Sequence, residues 1–241
     1  MAVLPYKEKD SGKKEQVALM FNNIARRYDF LNSFLSAGID RIWRRKALKV
    51  FKGKQLNELL DVATGTGSFA LEANLQLTIN KITGVDISAG MLEYGNKKIK
   101  DLNLDNKISL MLGDSENLPF DDNRFDAITV AFGVRNFENL SKGLSEMCRV
   151  LKPNSNLVVL EFSKPQNFPI KQLYFFYFKN ILPVIGKLVS KDSAAYTYLP
   201  ESVHAFPYGE EFKSIMLSCG FKKVEIKSLS FGIASIYIGT K

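Results

Sequence analysis

Cysteine and histidine are scarce: 241 residues hold two of the first and one of the second. Cys148 and Cys219 both fall in helical patterns, with no further cysteine or histidine at ligand spacing. That argues against a zinc site and for two buried thiols, so no metal is expected and no oxidising compartment is needed. Long apolar runs are missing too. The opening segment MAVLPYKEKDSGKKE contains none that would serve as a signal peptide. The most lipid-like stretch, LYFFYFKNILPVIGKLV at 173–189, is broken by Lys179, Pro183 and Lys187. It falls short of the ~20 apolar residues of a spanning helix, so it can touch a membrane but not cross one. With no internal repeat, low-complexity tract or clear linker, one domain is expected over 1–241.

Hydrophobic residues make up 46% of the chain, enough for a sizeable core without metal or disulfide. The formal charge of +8 has a plain reading, solubility, and a sharper one, attraction to nucleic acid or to lipid headgroups. Arg41, Arg44, Arg45, Lys46, Lys49, Lys52 and Lys54 crowd one segment, but helical spacing spreads them over more than one face. A dedicated binding stripe is not favoured.

The hydrophobic period changes along the chain. Up to about residue 53 it is helical, through Val17, Met20, Phe21 and Ile24 and again through Ile42, Trp43, Leu48 and Phe51. Short apolar runs follow at 56–63, 81–87, 107–114, 125–132 and 156–163, most of them separated by helical patterns such as 88–102 and 139–151. Alternation of this kind predicts an α/β fold: a doubly wound, mostly parallel seven-stranded sheet. Near the end, a helix at about 208–219 capped by Gly220 precedes two strand patterns, 222–230 and 233–240, with no helix between them. These should pair antiparallel. The expected parts are amino-terminal helices (1–53), a cofactor-binding core (54–163), a helical lid or substrate insertion (164–205) and a terminal helix with strands (206–241). Ligands of such sheets sit outside the carboxyl ends of the strands, near the switch in strand order.

The first strand ends LLDVATGTGSFA, where Gly65 and Gly67 allow a tight turn and a close backbone approach to ligand. Asp86 follows nineteen positions after Gly67, at the end of the second strand, where a carboxylate can accept from both ribose hydroxyls. Turn, Thr66 and spaced acid together point to an adenosine ligand. Gly65-x-Gly67-x-x-Ala70 also fits a dinucleotide fingerprint. Against it stand Asp61, which suits a cationic ligand better than a pyrophosphate, and Gly113-Asp114-Ser115, which offers polar contact to an adenine amino group. The Tyr94-x-x-x-Lys98 pair lies too early in the fold for a hydride-transfer site, and the turn lacks a P-loop lysine.

The pattern D-x-A-x-G-T-G, with Asp86 and Asp114 downstream, is similar to the class I S-adenosylmethionine-dependent methyltransferases. Tyr28-Asp29-Phe30-Leu31-Asn32, followed by Ser36 and Trp43, resembles the first signature of the ubiquinone/menaquinone biosynthesis C-methyltransferases. Arg149-Val150-Leu151-Lys152-Pro153 with Leu160-Glu161-Phe162-Ser163 resembles the second. Leu118-Pro119-Phe120, Phe132-Gly133-Val134-Arg135-Asn136 and Tyr198-Leu199-Pro200-Glu201-Ser202 also match, so the resemblance spans nearly the whole chain. Three departures stand out: Asp40 stands where the family usually has histidine, Asn154-Ser155 where it has Gly-Gly, and Ala131 where serine is frequent.

The resemblance implies C-methylation of a polyprenylated quinol, demethylmenaquinol first and a methoxy-benzoquinol of the ubiquinone pathway second, with S-adenosylmethionine as donor. Another small molecule remains the further alternative. Arg135 is the candidate to stabilise a phenolate or position a water, with Asn136 to orient it and His204 as an alternative base. Tyr28, Phe132 and Arg135 are expected to meet substrate, and Tyr28 and Asp29 to close over the cofactor. The aromatic stretch at 173–178 and the segment to Pro200 would cover the isoprenoid tail. Nucleic acid is not an expected partner, since AFGVRN replaces the Asn/Asp-Pro-Pro-aromatic motif of base methylation. A cytoplasmic protein is expected, with peripheral contact at the inner face of the plasma membrane, a homodimer and a quinone-biosynthesis complex all left open.

Overall fold

The computed structural model describes residues 3–36, 38–181 and 194–241. Two helices open it, α1 (Lys13–Leu35) and α2 (Ile39–Leu48), the second continued by a 3-10 turn (Lys49–Phe51). Then come β1 (Gln55–Val62), α3 (Ser68–Gln76), β2 (Thr78–Asp86), α4 (Ala89–Asp101) and β3 (Ile108–Leu112). A loop leads to β4 (Phe125–Ala131), a 3-10 turn (Val134–Asn136), α5 (Leu140–Val150) and β5 (Leu151–Phe162). After α6 (Ile170–Phe176) and a π turn (Tyr177–Ile181), the chain is described again from α7 (Ala194–Ala205) through α8 (Glu210–Ser218), β6 (Lys223–Leu229) and β7 (Ala234–Thr240).

The seven strands lie in the order β3-β2-β1-β4-β5-β7-β6. β1 to β5 run parallel, and β7 pairs antiparallel with both β5 and β6. Strands covered on both faces need apolar side chains on both. Leu59 and Leu60, Ala127 and Ile128, and the run Leu157–Leu160 are accordingly all inaccessible to solvent. One core joins α5 and α8 to the sheet through Leu144, Met147, Phe212 and Tyr237. A second joins α2 and α3 to the sheet through Trp43, Leu48, Phe69 and Ala73.

Strand order reverses between β1 and β4, so a crevice opens there at the carboxyl ends of the strands. Helix α1 lies across it, and its Val17 and Met20 pack with Ala195 and Tyr198 of α7.

Some expectations need correction. β5 begins at Leu151 rather than 156, because a register shift between Phe125 and Ala127 absorbs the intervening residues against β4. Asn154 takes φ +61 there, in keeping with a turn variation at a residue that tolerates left-handed geometry. Ile42 is half exposed, leaving Trp43, Ala47 and Leu48 as the buried face of α2. Three of the seven cations of the basic segment are paired within the protein: Arg41 and Arg45 both hold Glu72 of α3, and Arg44 closes on Asp40. Pro183 and Lys187 lie outside the described residues, among which no helix is long and apolar enough to cross a membrane.

Candidate active site

Past β1 the backbone turns sharply, with φ +57 at Gly65 and +75 at Gly67, left-handed geometry that glycine adopts without steric cost. Gly67 then caps α3. Asp86 braces this turn from β2. One oxygen accepts from the Gly65 N–H at 2.7 Å and the other from the Ser88 N–H at 2.8 Å. Burial pushes its carboxyl above the ordinary range. Asp86 lines a cleft together with Gly65, Ile87 and Met91.

The far wall comes from the loop after β3, where Gly113, Asp114, Ser115 and Glu116 all reach the cleft. Asp114 accepts from the Glu116 N–H at 2.9 Å and from the Lys14 ammonium at 2.6 Å. Glu116, nearly fully buried, accepts from the backbone N–H groups of Glu138 and Asn139 at 2.9 Å each. Asn136 lines the same cleft, and its Oδ1 is buried without a hydrogen-bond partner. Helix α1 roofs the cleft and is pinned at several points. Asn22 accepts from Ser88 Oγ and the Gly90 N–H, both at 2.8 Å. Asp29 accepts from Thr66 Oγ1 at 2.5 Å and Lys98 at 2.7 Å.

This donor and acceptor set fits S-adenosylmethionine. A carboxylate follows the glycine turn, polar groups stand on the far wall, and the acids Asp86, Asp114, Glu116 and Glu138 outnumber the one lining cation, Lys14, which disfavours a pyrophosphate. Asn136 Oδ1 is an acceptor waiting for a donor.

A second cavity of about 480 Å³ adjoins the cleft, and Phe21, Tyr28 and Phe132 belong to the walls of both. Its lining is mainly apolar and aromatic, in the size range of ligand pockets. Phe132 stacks tilted on Phe162 at 4.6 Å, with Trp43 6.2 Å and 6.3 Å from the two rings. Arg135 lines this cavity but is not free. Its Nη1 donates to the Phe132 carbonyl and, at 2.9 Å, to Glu161, which is fully buried. Arg135 Nε is left buried without a hydrogen-bond partner. Tyr174 and Tyr198 add to the polar lining, as do Ser36, Asp40 and Arg44; burial pushes the Tyr198 phenol up to about 12, and its hydroxyl has no hydrogen-bond partner among the described residues.

The sequence model of the ubiE/COQ5 methyltransferase family matches residues 9–241. The chain belongs to that family. It is 51% identical over 239 residues to the demethylmenaquinone methyltransferase of Bacteroides fragilis, covering 99% of this chain and 97% of that one. It is 48% identical over 230 residues to the ubiquinone/menaquinone biosynthesis C-methyltransferase UbiE of Geotalea daltonii, covering 95% and 97%. Its fold is shared with a putative S-adenosyl-L-methionine-dependent methyltransferase from Methanococcus maripaludis, at a TM-score of 0.63 and 19% identity over 98% of this chain and 97% of that one.

Within this methyltransferase, not every expected residue reaches the site. Asp61 lies beneath the turn, off the cleft wall, with its oxygens held by Thr64 at 2.6 Å and Thr129 at 2.8 Å. Burial, against those two hydroxyls, pushes its carboxyl up to about 6. Thr66 turns its hydroxyl to Asp29 rather than to the cleft. His204 stays on the exposed side of α7, because the helix presents Ala195, Tyr198 and Leu199 to the cavity. Lys14 and Glu116 were not singled out from the sequence, and Glu161 and Tyr198 entered only as members of family motifs, without a role. Glu161 carried one further signal, a lone acid inside the apolar run of β5.

Proposed function

We propose that this chain transfers a methyl group from S-adenosylmethionine to a ring carbon of demethylmenaquinol. The observation that carries the reading is the junction at Tyr28 and Phe132, where a cleft suited to a nucleoside meets a mainly apolar cavity. A ring in that cavity would present its edge to the cleft, and its apolar tail would follow the aromatic lining. The names of the B. fragilis and G. daltonii relatives support a quinone substrate.

Bound in the cleft, S-adenosylmethionine supplies an already activated methyl group, so alignment is the main task left to the protein. Asp86 holds the ribose hydroxyls, and Asp114 with Ser115 meets the adenine amino group. Asn136 Oδ1, buried on the cleft wall without a hydrogen-bond partner, would accept from an N–H of the cofactor. Tyr28 and Phe132 fix the distance between donor and ring. Arg135, oriented by Glu161, stabilises negative charge as the quinol oxygen approaches phenolate.

A polyprenyl tail implies work beside a membrane, at its cytoplasmic face. Leu173, Phe175 and Phe176 of α6 are exposed beside the cavity mouth, as are Phe168 and Phe231. With a formal charge of +8, this surface suits peripheral contact with an anionic bilayer.

The test is methyl transfer from labelled donor to reduced demethylmenaquinone, beside a methoxy-benzoquinol and bulk RNA. Label in menaquinone is expected. Label confined to the benzoquinol would move the protein to the ubiquinone pathway, and label in neither quinol, with donor bound, would overturn the quinone reading.

A further inference from the structure

Asp40 is the one carboxylate on the wall of the larger cavity among the described residues. It sits in the first turn of α2, where its Oδ1 accepts from Ser36 Oγ at 2.7 Å and its Oδ2 from Arg44 Nη1. Both charged groups are largely removed from water, with 14% of the Asp40 side chain and 11% of the Arg44 side chain exposed. Arg44 Nε is buried and has no hydrogen-bond partner, although the guanidinium itself lines the cavity.

The position of this pair is informative. Arg44 lies over the ring of Phe132, with its Cζ 5.8 Å from the centroid, and its charge acts on the Tyr28 phenol. Arg135 approaches the same Phe132 through its carbonyl. Two arginine–carboxylate pairs therefore converge on the residue where the cavities meet. They differ in one respect. Glu161 is fully buried, is spent on Arg135 and on the Phe162 N–H, and is not on the cavity wall. Asp40 is on it.

We propose that Asp40 accepts the hydroxyl proton of the ring during methyl transfer, with Arg44 and Ser36 fixing the carboxylate; this rests on the quinol reading above. The O–H bond breaks toward Asp40 as its electron pair becomes a carbonyl bond. The ring's electrons form the new carbon–carbon bond, and the sulfur–carbon pair leaves with the neutral thioether. Asp40 then returns its proton to the oxygen while the proton on the methylated carbon departs to water, which restores the quinol and releases one proton per methyl. A strong base is unnecessary. As the ring gives up electrons to carbon, the hydroxyl becomes that of a protonated ketone, far more acidic than a phenol, and an ion-paired carboxylate suffices.

The experiment compares Asp40→Asn and Asp40→His with the wild type. Donor binding is followed by calorimetry, quinol binding by fluorescence of Trp43, which lines the cavity, and turnover by labelled methyl transfer over a range of pH. Loss of a general base costs roughly 100-fold to 10,000-fold. Asp40→Asn should lower kcat by at least about 100-fold, with the KM for quinol and the donor affinity nearly unchanged. Asp40→His should recover much of that loss and add a new limb to the pH profile near imidazole's ordinary titration, at about 6.5. A folded Asp40→Asn with wild-type kcat, or an Asp40→His whose pH profile matches the wild type, overturns the proposal. Should Asp40→Asn fail to fold, the histidine profile alone decides. A wild type that binds donor but methylates no quinol overturns instead the reading on which this one rests.

Discussion

Lys14 on α1 holds two acids of the cleft together, its ammonium 2.6 Å from Asp114 and 3.2 Å from Glu116. The contact joins the helix that roofs the cleft to the loop proposed to meet adenine. Removing the charge leaves two adjacent carboxylates uncompensated and frees one corner of the roof. Lys14→Met should raise the KM for S-adenosylmethionine about tenfold with kcat little changed, since the loss falls on binding common to ground and transition states. Steady-state kinetics with donor varied at saturating quinol checks this, and an equal fall in kcat would contradict it.

Arg135 and Glu161 behave as one unit. Both are buried, and taking one partner from such a pair leaves an unpaired charge that costs about 3–5 kcal/mol. Glu161→Gln should therefore lower stability to urea by an amount of that order. The double variant Arg135→Met, Glu161→Gln should regain much of the stability while remaining without methyl transfer. Recovery of stability together with activity would remove Arg135 from the reaction.

Local patterns were legible, and distant pairings were not. The β1 turn with Asp86 could be read because its parts lie within one βα unit, where spacing reports geometry. Arg135 could be singled out, but its partner stands 26 residues away on β5, and no periodicity connects the two. Lys14 and Asp114 are 100 residues apart and meet only because α1 lies over the cleft. Asp40 and Arg44 are visible as an i, i+4 pair, which on most helices is a solvated surface feature. Their burial comes from the packing of α2 against α1, α3 and β5, and that packing was beyond local reading. The exposed placement of His204 was hidden for the same reason: a helix's inward face depends on what it packs against.

Asp61 makes a pH-dependent contribution whose sign is opposite to the usual carboxylate. Burial raises its folded-state pKa to about 6 from an ordinary 3.8, so the folded protein binds this proton more tightly than the unfolded chain. The charged form is then a burden above about pH 6, and that burden is relieved as pH falls toward 4. Two pKa units correspond to about 3 kcal/mol at most. Relative to Asp61→Asn, wild-type stability should increase between pH 7 and pH 4, measured by urea unfolding at several pH values. A difference that stays flat, or that declines as acid is added, would show that Thr64 and Thr129 hold the carboxylate ionised.

Phe168 and Phe231 are each 80% exposed, an unusual placement for two aromatic rings beside an apolar cavity. Phe231 also takes φ +58, between Ser230 at +46 and Gly232 at +95, a costly backbone for a bulky residue. Ser230 is held in turn by the Trp43 indole N–H at 2.9 Å, which ties this exposed turn to the cavity wall. If the rings enter a bilayer, each contributes about 1.5–3 kcal/mol of burial, or roughly tenfold to a hundredfold in partitioning. Phe168→Ser and Phe231→Ser should each reduce binding to anionic vesicles to that extent, and should leave stability in solution within about 0.5 kcal/mol. Methyl transfer to a short-chain quinol dissolved in water should persist, whereas transfer to a long-chain quinol embedded in vesicles should fall in step with binding. Vesicle binding that ignores both substitutions would place the membrane contact on another face, or show that the substrate is delivered without one.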